Sequence, residues 1–260
     1  MIRQGKAGEE ENRYYGYIDI SLDEAGDTPA ETDIMKVIAS WSGGKDSCFA
    51  CYKALAQGYE VSHLVNFVSR QFRRVSFHGI RAHLIYRQAQ AIGIPLVQHK
   101  VPPDMSLYEQ TFKQAVSALK RDGVEGMVFG DINLQEHRDW IERVCGELEI
   151  TPLLPLWGMT PECVLSDFVE MGFEAVITSA KADIFDEGWL GRRIDGSFQF
   201  DLKKLGQGKE LDICGEQGEY HTLVVDGPLF QKRVQVTYGV RVQRRGCWFL
   251  DIPRCRLELK

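Results

Sequence analysis

Short apolar runs alternate with segments of helical periodicity from residue 34 onward. Continuous apolar runs predict strands at 34–40, 61–68, 95–101 and 124–131. Helices are predicted between them, from just after Gly44 to about Gln57, over 79–93 and over 106–121; Gly58 and Gly93 are typical of helix ends. Because strands separated by helices form βαβ units, the pattern predicts an α/β fold with a doubly wound parallel sheet.

The second half of the chain has a different pattern. Helices are predicted over 135–149 and 161–171, and a strand over 173–180, whereas the glycine-rich stretch 183–209 predicts irregular connections around short helices. Alternation over 234–243, followed by a turn at Arg245-Gly246, predicts antiparallel pairing up to residue 260. These elements predict a smaller C-terminal α+β domain, with segments bounded as 1–33, 34–132, 133–230 and 231–260.

Charge is unevenly distributed along the 260 residues. Residues 1–33 contain three basic and nine acidic side chains, which accounts for the net charge of −6, so the remaining residues are balanced. An overall basic surface for nucleic acid is therefore not expected. We predict a loose acidic extension over 1–33, with an edge strand at Tyr14–Ile18 as the alternative.

Other bulk features predict a protein of the reducing cytoplasm. The sequence has neither an apolar run of about 18 residues for a membrane span nor an export signal. Seven scattered cysteines do not resemble a disulfide framework. Cys48 and Cys51 form a C-x-x-C on one helix face, but no second pair matches it, so we interpret them as packing residues.

The sharpest local signal is a hexapeptide between the first predicted strand and its helix. A helix N-terminus offers unpaired N–H groups to phosphate, and paired glycines allow close approach. Lysine adds a positive charge, serines add hydroxyls, and the aspartate suits a role in holding Mg²⁺ or capping the helix. The bland alternative is an ordinary βα turn. The hexapeptide consists of Ser42, Gly43, Gly44, Lys45, Asp46 and Ser47.

This complete string resembles the PP-loop of the ATP pyrophosphatases, which cleave ATP between the α and β phosphates. The spacing differs from the Walker loop. The resemblance implies ATP and Mg²⁺ as cofactors, with Mg²⁺ near Asp46. It also places the adenine near the end of the second strand, around Asn66.

Motifs in the second half narrow the class further. Together they resemble the diphthine–ammonia ligase family, from about Met35 to Phe230. The family implies an N-terminal PP-loop ATP-binding domain over 34–132, a substrate-binding domain over 133–230 and a β-rich extension over 231–260. The motifs are Gly130-Asp131-Ile132, Arg143-Val144-Cys145, Pro155-Leu156-Trp157, the tetrapeptide 189–192, the nonapeptide 214–222 and Val225–Phe230.

The resemblance implies an ATP-dependent amide ligase. A substrate carboxylate attacks the α-phosphate, pyrophosphate leaves, and ammonia displaces AMP. The expected partners are ATP, ammonia and a carboxylate acceptor, either diphthine on elongation factor 2 or a related substrate. One departure matters: the branch that amidates diphthine commonly has a hydrophobic residue where this chain has His221, so a prokaryotic side branch with another acceptor stays open.

Candidate residues follow from these motifs. Glu216 and Glu219 are expected to hold Mg²⁺ or bind ammonium and accept its proton, and a solvated acidic turn is the alternative. Asp131 follows a strand at the ligand-binding edge, where it would meet ATP or cap a helix.

Three further residues are assigned to substrate binding. Arg192 suits a phosphate or a carboxylate, with a surface ion pair as its alternative. His221 and Thr222 are expected to position the substrate, although His221 also suits a structural role.

Two rival functions remain open. A tRNA-modifying thiolase would need a basic surface and a sulfur-handling cysteine pair. A nucleotide-sensing module would bind ATP without releasing pyrophosphate. The oligomeric state, a homodimer included, is left open by the sequence.

Overall fold

The computed structural model describes residues 34–75, 79–102, 104–206 and 211–260. The predicted edge strand at Tyr14–Ile18 lies outside these ranges. Residues 34–260 form one compact unit. Within the described ranges, none of the helices combines the length and the apolarity that a membrane crossing requires.

The first sheet contains five parallel strands in the order β3-β2-β1-β4-β5, which confirms the predicted parallel α/β architecture. The helices between successive strands bury both of its faces. The strands are β1 Lys36–Ser40, β2 Glu60–Ser69, β3 Leu96–Val101, β4 Gly126–Val128 and β5 Thr151–Leu153. The helices are α1 Lys45–Ala56, α2 Ala82–Ile92, α3 Tyr108–Lys120 and α4 Gln135–Leu148, with a short 3₁₀ helix at Met105–Leu107.

Burial of β1 explains its continuous apolar run. Val37, Ile38 and Ala39 are all fully buried. Val37 and Ala39 join the core that contains α1 and α2, whereas Ile38 joins the core that contains α3 and α4. Since alternate side chains of a strand face opposite sides, a strand covered on both faces has no polar positions.

The strand order creates a crevice beside β1. The chain moves from β1 to β2 on one side and returns to β4 on the other, so the connections after β1 and β4 leave in opposite directions. In open α/β sheets this switch point, at the carboxyl ends of the strands, is where ligands bind.

The second sheet is antiparallel and has the order β7-β6-β9-β8. The predicted turn joins β8 to β9 at Arg245-Gly246, both with positive φ. The elements are α5 Pro161–Glu170, β6 Glu174–Lys181, a 3₁₀ helix at Glu187–Trp189, α6 Gly196–Leu205, β7 Tyr220–Asp226, β8 Lys232–Arg244 and β9 Cys247–Leu259.

The predicted segment boundaries do not coincide with the limits of the two sheets. The boundary at 132/133 lies within the first sheet, because β5 pairs with β4. The boundary at 230/231 lies within the second sheet, since β9 pairs with β6. The fourth strand is also shorter than the predicted 124–131, because only Gly126–Val128 is paired.

Candidate active site

A cavity of about 510 Å³ opens at the switch point of the first sheet. The ends of β1 and β2, the start of α1 and the connection after β4 form one side, and the turn before β7 forms the other. The lining residues are Ser40, Trp41, Ser42, Asp46, Ser47, Val65, Asn66, Phe67, Val75, Tyr108, Gly130, Asp131, His137, Gly215, Glu216, Gly218 and His221.

Three residues of the predicted phosphate loop reach this cavity. Ser42, Asp46 and Ser47 line it, and the two serine hydroxyl oxygens lie 3.1 Å apart. The Ser47 hydroxyl donates to the Gly44 carbonyl at 3.1 Å, which holds it at the first turn of α1. The positive end of the α1 dipole therefore faces the cavity, as an anion site requires.

The two glycines of the loop are enclosed by protein. Gly43 has φ +84°, and a Cβ there would lie 2.4 Å from Cδ1 of Ile85 and 2.6 Å from Oε1 of Gln88. A Cβ at Gly44 would lie 3.3 Å from the Thr222 carbonyl oxygen. Packing against α2 is thus a sufficient reason for Gly43, in addition to any approach by phosphate, whereas a Cβ at Gly44 would make only a tight contact with β7.

Lys45 is turned away from the cavity. Its side chain is buried, its Nζ lies 2.9 Å from Oδ2 of Asp46, and it donates to the Cys214 carbonyl. The ammonium also lies 5.2 Å from the centre of the Tyr220 ring. The predicted phosphate ligand instead holds the turn before β7 against the start of α1.

Three carboxylates face the cavity from different segments. Asp46 comes from α1, Asp131 from the connection after β4 and Glu216 from the turn before β7. Oε2 of Glu216 accepts from the N–H groups of Ile132 at 3.1 Å and Asn133 at 3.4 Å, so this turn reaches across to the first sheet.

Two of these acids, Glu216 and Asp46, have a raised pKa, chiefly because they are buried. Burial, and then the charge of Asp46, raises the pKa of Glu216 to about 7. Burial also raises the pKa of Asp46, although the neighbouring Lys45 ammonium opposes this shift. At neutral pH, Glu216 therefore exchanges a proton easily.

The acids can hold a cation only together with other ligands. Within the described ranges, no group of three His, Cys, Asp or Glu residues is arranged to bind a metal by itself. Oδ1 of Asp46, however, is buried without a hydrogen-bond partner there. One or two carboxylates beside a phosphate site suit Mg²⁺, which usually keeps waters and phosphate oxygens as its other ligands.

Glu219 and Thr222 belong to the frame of the site. Glu219 is buried, and its Oε1 accepts from the Asp212 N–H at 3.4 Å. The Thr222 hydroxyl accepts from the Lys45 N–H at 2.9 Å. Neither side chain lines the cavity, so the structure does not bring the predicted acid and substrate ligand to it.

Arg192 lies elsewhere. It forms an ion pair with Asp201 and its guanidinium lies 4.6 Å from the centre of the Trp189 ring. The structure thus shows the ion pair that was the alternative prediction for Arg192, and Arg192 does not line the cavity.

His221 and Asn66 do line the cavity. Burial, with Lys45 and Lys181 adding to it, lowers the pKa of His221 to about 4, so the ring is neutral at neutral pH. Asn66 donates to the Trp41 carbonyl at 2.6 Å and accepts from Gln98 at 3.1 Å.

Some site residues were missed by the sequence reasoning. Gln88 donates to the Gly43 and Val224 carbonyls and accepts from the Trp41 indole at 3.1 Å. The sequence feature that could have identified Gln88 is its position on the apolar face of α2, four residues after Leu84. Tyr108 and His137 also reach the cavity, and Nδ1 of His137 lies 2.9 Å from Oδ1 of Asp131.

Cys48 and Cys51 lie in the hydrophobic core. Burial raises the pKa of both thiols, that of Cys51 to about 12. Thiols held protonated in this way are poor nucleophiles, which fits the packing interpretation.

A parallel sheet with a helix that starts at a cavity on its switch point is typical of nucleotide-binding α/β proteins. Comparison with known protein families assigns the chain more narrowly. The diphthamide synthase N-terminal domain matches residues 35–152, and the diphthamide synthase C-terminal domain matches residues 160–258. The chain belongs to the diphthamide synthase family, and the resemblance inferred from its motifs is confirmed.

Individual relatives cover most of the chain. The diphthine–ammonia ligase of Rattus norvegicus is 27% identical over an alignment of 244 residues, and the match covers 86% of this chain and 91% of the rat protein. The enzyme of Homo sapiens is 28% identical, over 78% of this chain and 83% of the human protein. The enzyme of Schizosaccharomyces pombe is 31% identical over 78% of this chain, but the match spans 36% of that longer protein.

Proposed function

We propose that this protein is an ATP-dependent ligase of the diphthamide pathway, which converts the carboxylate of diphthine, or of a related acceptor, to an amide with ammonia. The observation that carries the proposal is the cavity in which the start of α1 meets three carboxylates, in a chain that matches both domains of the family.

The start of α1 is suited to bind the phosphates of ATP. The hydroxyl groups of Ser42 and Ser47 and the helix dipole favour negative charge at this place. In the proposed reaction the acceptor carboxylate attacks the α-phosphorus. The bond to the β-phosphate oxygen breaks, pyrophosphate leaves, and an acyl-adenylate forms. Donors fixed before the reaction stabilise the charge that develops on the phosphates.

Asp46 and Asp131 are suited to hold Mg²⁺ with the nucleotide. The unpartnered Oδ1 of Asp46 is the observation that supports this role. A bound Mg²⁺ would neutralise phosphate charge and favour departure of pyrophosphate. The two carboxylates would then contribute charge, while Lys45 keeps the Asp46 side chain oriented.

Glu216 is suited to the ammonia step. When ammonia attacks the acyl carbon, a C–N bond forms, the C–O bond to AMP breaks, and the nitrogen must lose a proton. A carboxylate with a pKa of about 7 accepts that proton efficiently near neutral pH. Its hydrogen bonds to Ile132 and Asn133 hold it at the cavity.

The proposal is tested with purified protein, ATP, ammonium and elongation factor 2 that carries diphthine. We expect acceptor-dependent formation of AMP and pyrophosphate in equal amounts, and mass spectrometry of the acceptor should show conversion of carboxylate to amide. Formation of ADP and phosphate would contradict the mechanism. Binding of ATP without pyrophosphate release would instead favour a nucleotide sensor, and stimulation by tRNA rather than by the acceptor would favour a thiolase.

A further inference from the structure

A smaller cavity of about 260 Å³, here called the aromatic annex, adjoins the main one. The two cavities share Ser40, Tyr108, Asp131 and His137. Beyond these shared residues the annex is lined by side chains from α3, α4 and the end of β4. They are Phe112, Phe129, Trp140 and Ile141.

The aromatic rings of the annex are packed against one another. The ring centres of Phe112 and Trp140 lie 5.1 Å apart with planes at 69°, and those of Tyr108 and Trp140 lie 6.2 Å apart. Phe112 and Phe129 are almost fully buried, with ring centres 6.4 Å apart. Several ring faces and edges therefore surround one space.

Trp140 is held firmly in this position. Its indole N–H donates to Oε2 of Glu109 at 3.0 Å, and Arg143 and Lys113 bind the same carboxylate. A ring held by these contacts stays at the wall of the annex without reorganisation when a ligand enters.

A carboxylate stands at the opening of the annex. Asp131 lies where the two cavities meet, and its side chain is 22% exposed. Its partner His137 lines the same opening and is 58% exposed. Among the lining residues that the structure describes, none is lysine or arginine. An aromatic space with one carboxylate at its opening favours a cation.

The lining also selects the kind of cation. A primary ammonium has three N–H donors that need acceptors, and aromatic rings leave most of them unsatisfied. A quaternary ammonium has no N–H group, and its diffuse charge is attracted to ring faces. The volume is sufficient, since a cavity of roughly 150 Å³ already holds benzene.

We infer that the aromatic annex is the subsite for a quaternary ammonium group of the acceptor. This inference rests on the proposed function, because diphthine carries a trimethylammonium group on the carbon that bears the carboxylate to be amidated. With the cationic group in the annex, that carboxylate projects into the adjoining main cavity. The annex thus selects the acceptor and orients its reacting group.

The test compares two small probes that differ in one atom. Glycine betaine carries a trimethylammonium group next to a carboxylate, and 3,3-dimethylbutanoate has the same shape with carbon in place of nitrogen. Ligand-observed NMR titrations of the full chain should give at least fivefold tighter binding of betaine. Equal affinities would overturn the inference, and so would displacement of betaine by ATP, which would place adenine in the annex.

Variants of Trp140 separate a specific contact from folding. Trp140→Leu should remove the preference for betaine while binding 3,3-dimethylbutanoate as the parent does, and Trp140→Phe should restore the preference. Trp189→Leu, at a residue that does not line the annex, should retain it. If Trp140→Leu does not fold, Phe112→Leu serves in its place. An unchanged preference in the folded leucine variant would contradict the assignment.

The annex subsite and the proposed ligase function can fail independently, and the experiments distinguish the two failures. Amide formation with an unchanged acceptor KM in Trp140→Leu would refute the annex subsite and leave the ligase proposal standing. A preference for betaine that depends on Trp140, without amidation of the acceptor, would support the annex subsite and refute the ligase proposal.

Discussion

Among single residues, Lys45 has a role that its motif does not reveal. Its ammonium is buried between Asp46 and the Cys214 carbonyl. Removing one member of a buried ion pair leaves the other charge uncompensated, so Lys45→Met should lower the free energy of unfolding by about 3 to 5 kcal/mol. Urea denaturation measures this loss.

A matched control lies on the same helix. Lys53 is partly exposed and lies 3.9 Å from Asp167, so Lys53→Met should cost at most about 1 kcal/mol. If Lys45→Met instead kept the parental stability and lost only ATP affinity, the ammonium would have to face the nucleotide.

Glu216 should give the reaction a pH dependence. The folded-state pKa is about 7, so the carboxylate form needed to accept a proton grows as the pH rises through 7. At a constant concentration of free ammonia, amide formation should rise through this range and then level off. Glu216→Gln should be slow at every pH and lack the inflection; an unaltered profile would remove Glu216 from the step.

The raised pKa of Glu216 also makes the free energy of unfolding depend on pH. The pKa of Glu216 is raised from 4.5, so the folded state holds this proton longer than the unfolded chain does. The group therefore lowers the free energy of unfolding as the pH rises from about 4.5 to about 7. Chemical denaturation across this range should show less decline in Glu216→Gln.

Gly43 and Gly58 allow a comparison of two glycines with nearly equal dihedral angles. Both have positive φ, +84° and +88°, so alanine costs each about 1 kcal/mol of backbone strain. A Cβ at Gly58 meets nothing within 4 Å, whereas one at Gly43 collides with Ile85 and Gln88. Gly43→Ala should therefore lose about 1 to 3 kcal/mol more than Gly58→Ala in urea denaturation. Equal losses would mean that α2 can move aside.

At the scale of elements, the helices and strands could be predicted because apolar residues recur with a different period in each kind of element. α2 ends at Gly93 as predicted, and β2 and β3 match the predicted runs within a residue or two. Side-chain direction was not readable. Glu216 and Glu219 are three residues apart, yet only Glu216 lines the cavity. Glu219 is buried instead and accepts a hydrogen bond from the Asp212 N–H. Contacts between distant segments decide such cases.

Helix α2 positions the loop after β1 through one buried amide. Gln88→Leu would leave the Trp41 indole N–H and the Val224 carbonyl without this partner, at a cost of about 2 to 4 kcal/mol in free energy of unfolding. ATP affinity should fall as well, since the loop loses its support. Gln90→Leu, on the exposed side of α2, is the control and should change stability by less than about 0.5 kcal/mol. Similar losses for both would contradict the role of Gln88.

At the scale of the whole molecule, the motifs predicted the family because they lie in the same order along the chain. The limits of the two sheets could not be predicted from the sequence, for a physical reason. Local patterns do not show which strands pair, and β9 pairs both with β8 beside it in sequence and with β6 more than sixty residues earlier.

The loop that starts α1 and strand β7 form one hydrogen-bonded body, although they are about 180 residues apart. The Val224 N–H donates to the Gly43 carbonyl at 3.0 Å, and the Lys45 N–H donates to the Thr222 hydroxyl at 2.9 Å. Both residues are buried, so exchange of either amide requires the contact between the loop and β7 to open. In deuterium oxide both should therefore exchange at one common slow rate, set by a single cooperative opening, and nucleotide should slow the two amides by the same factor.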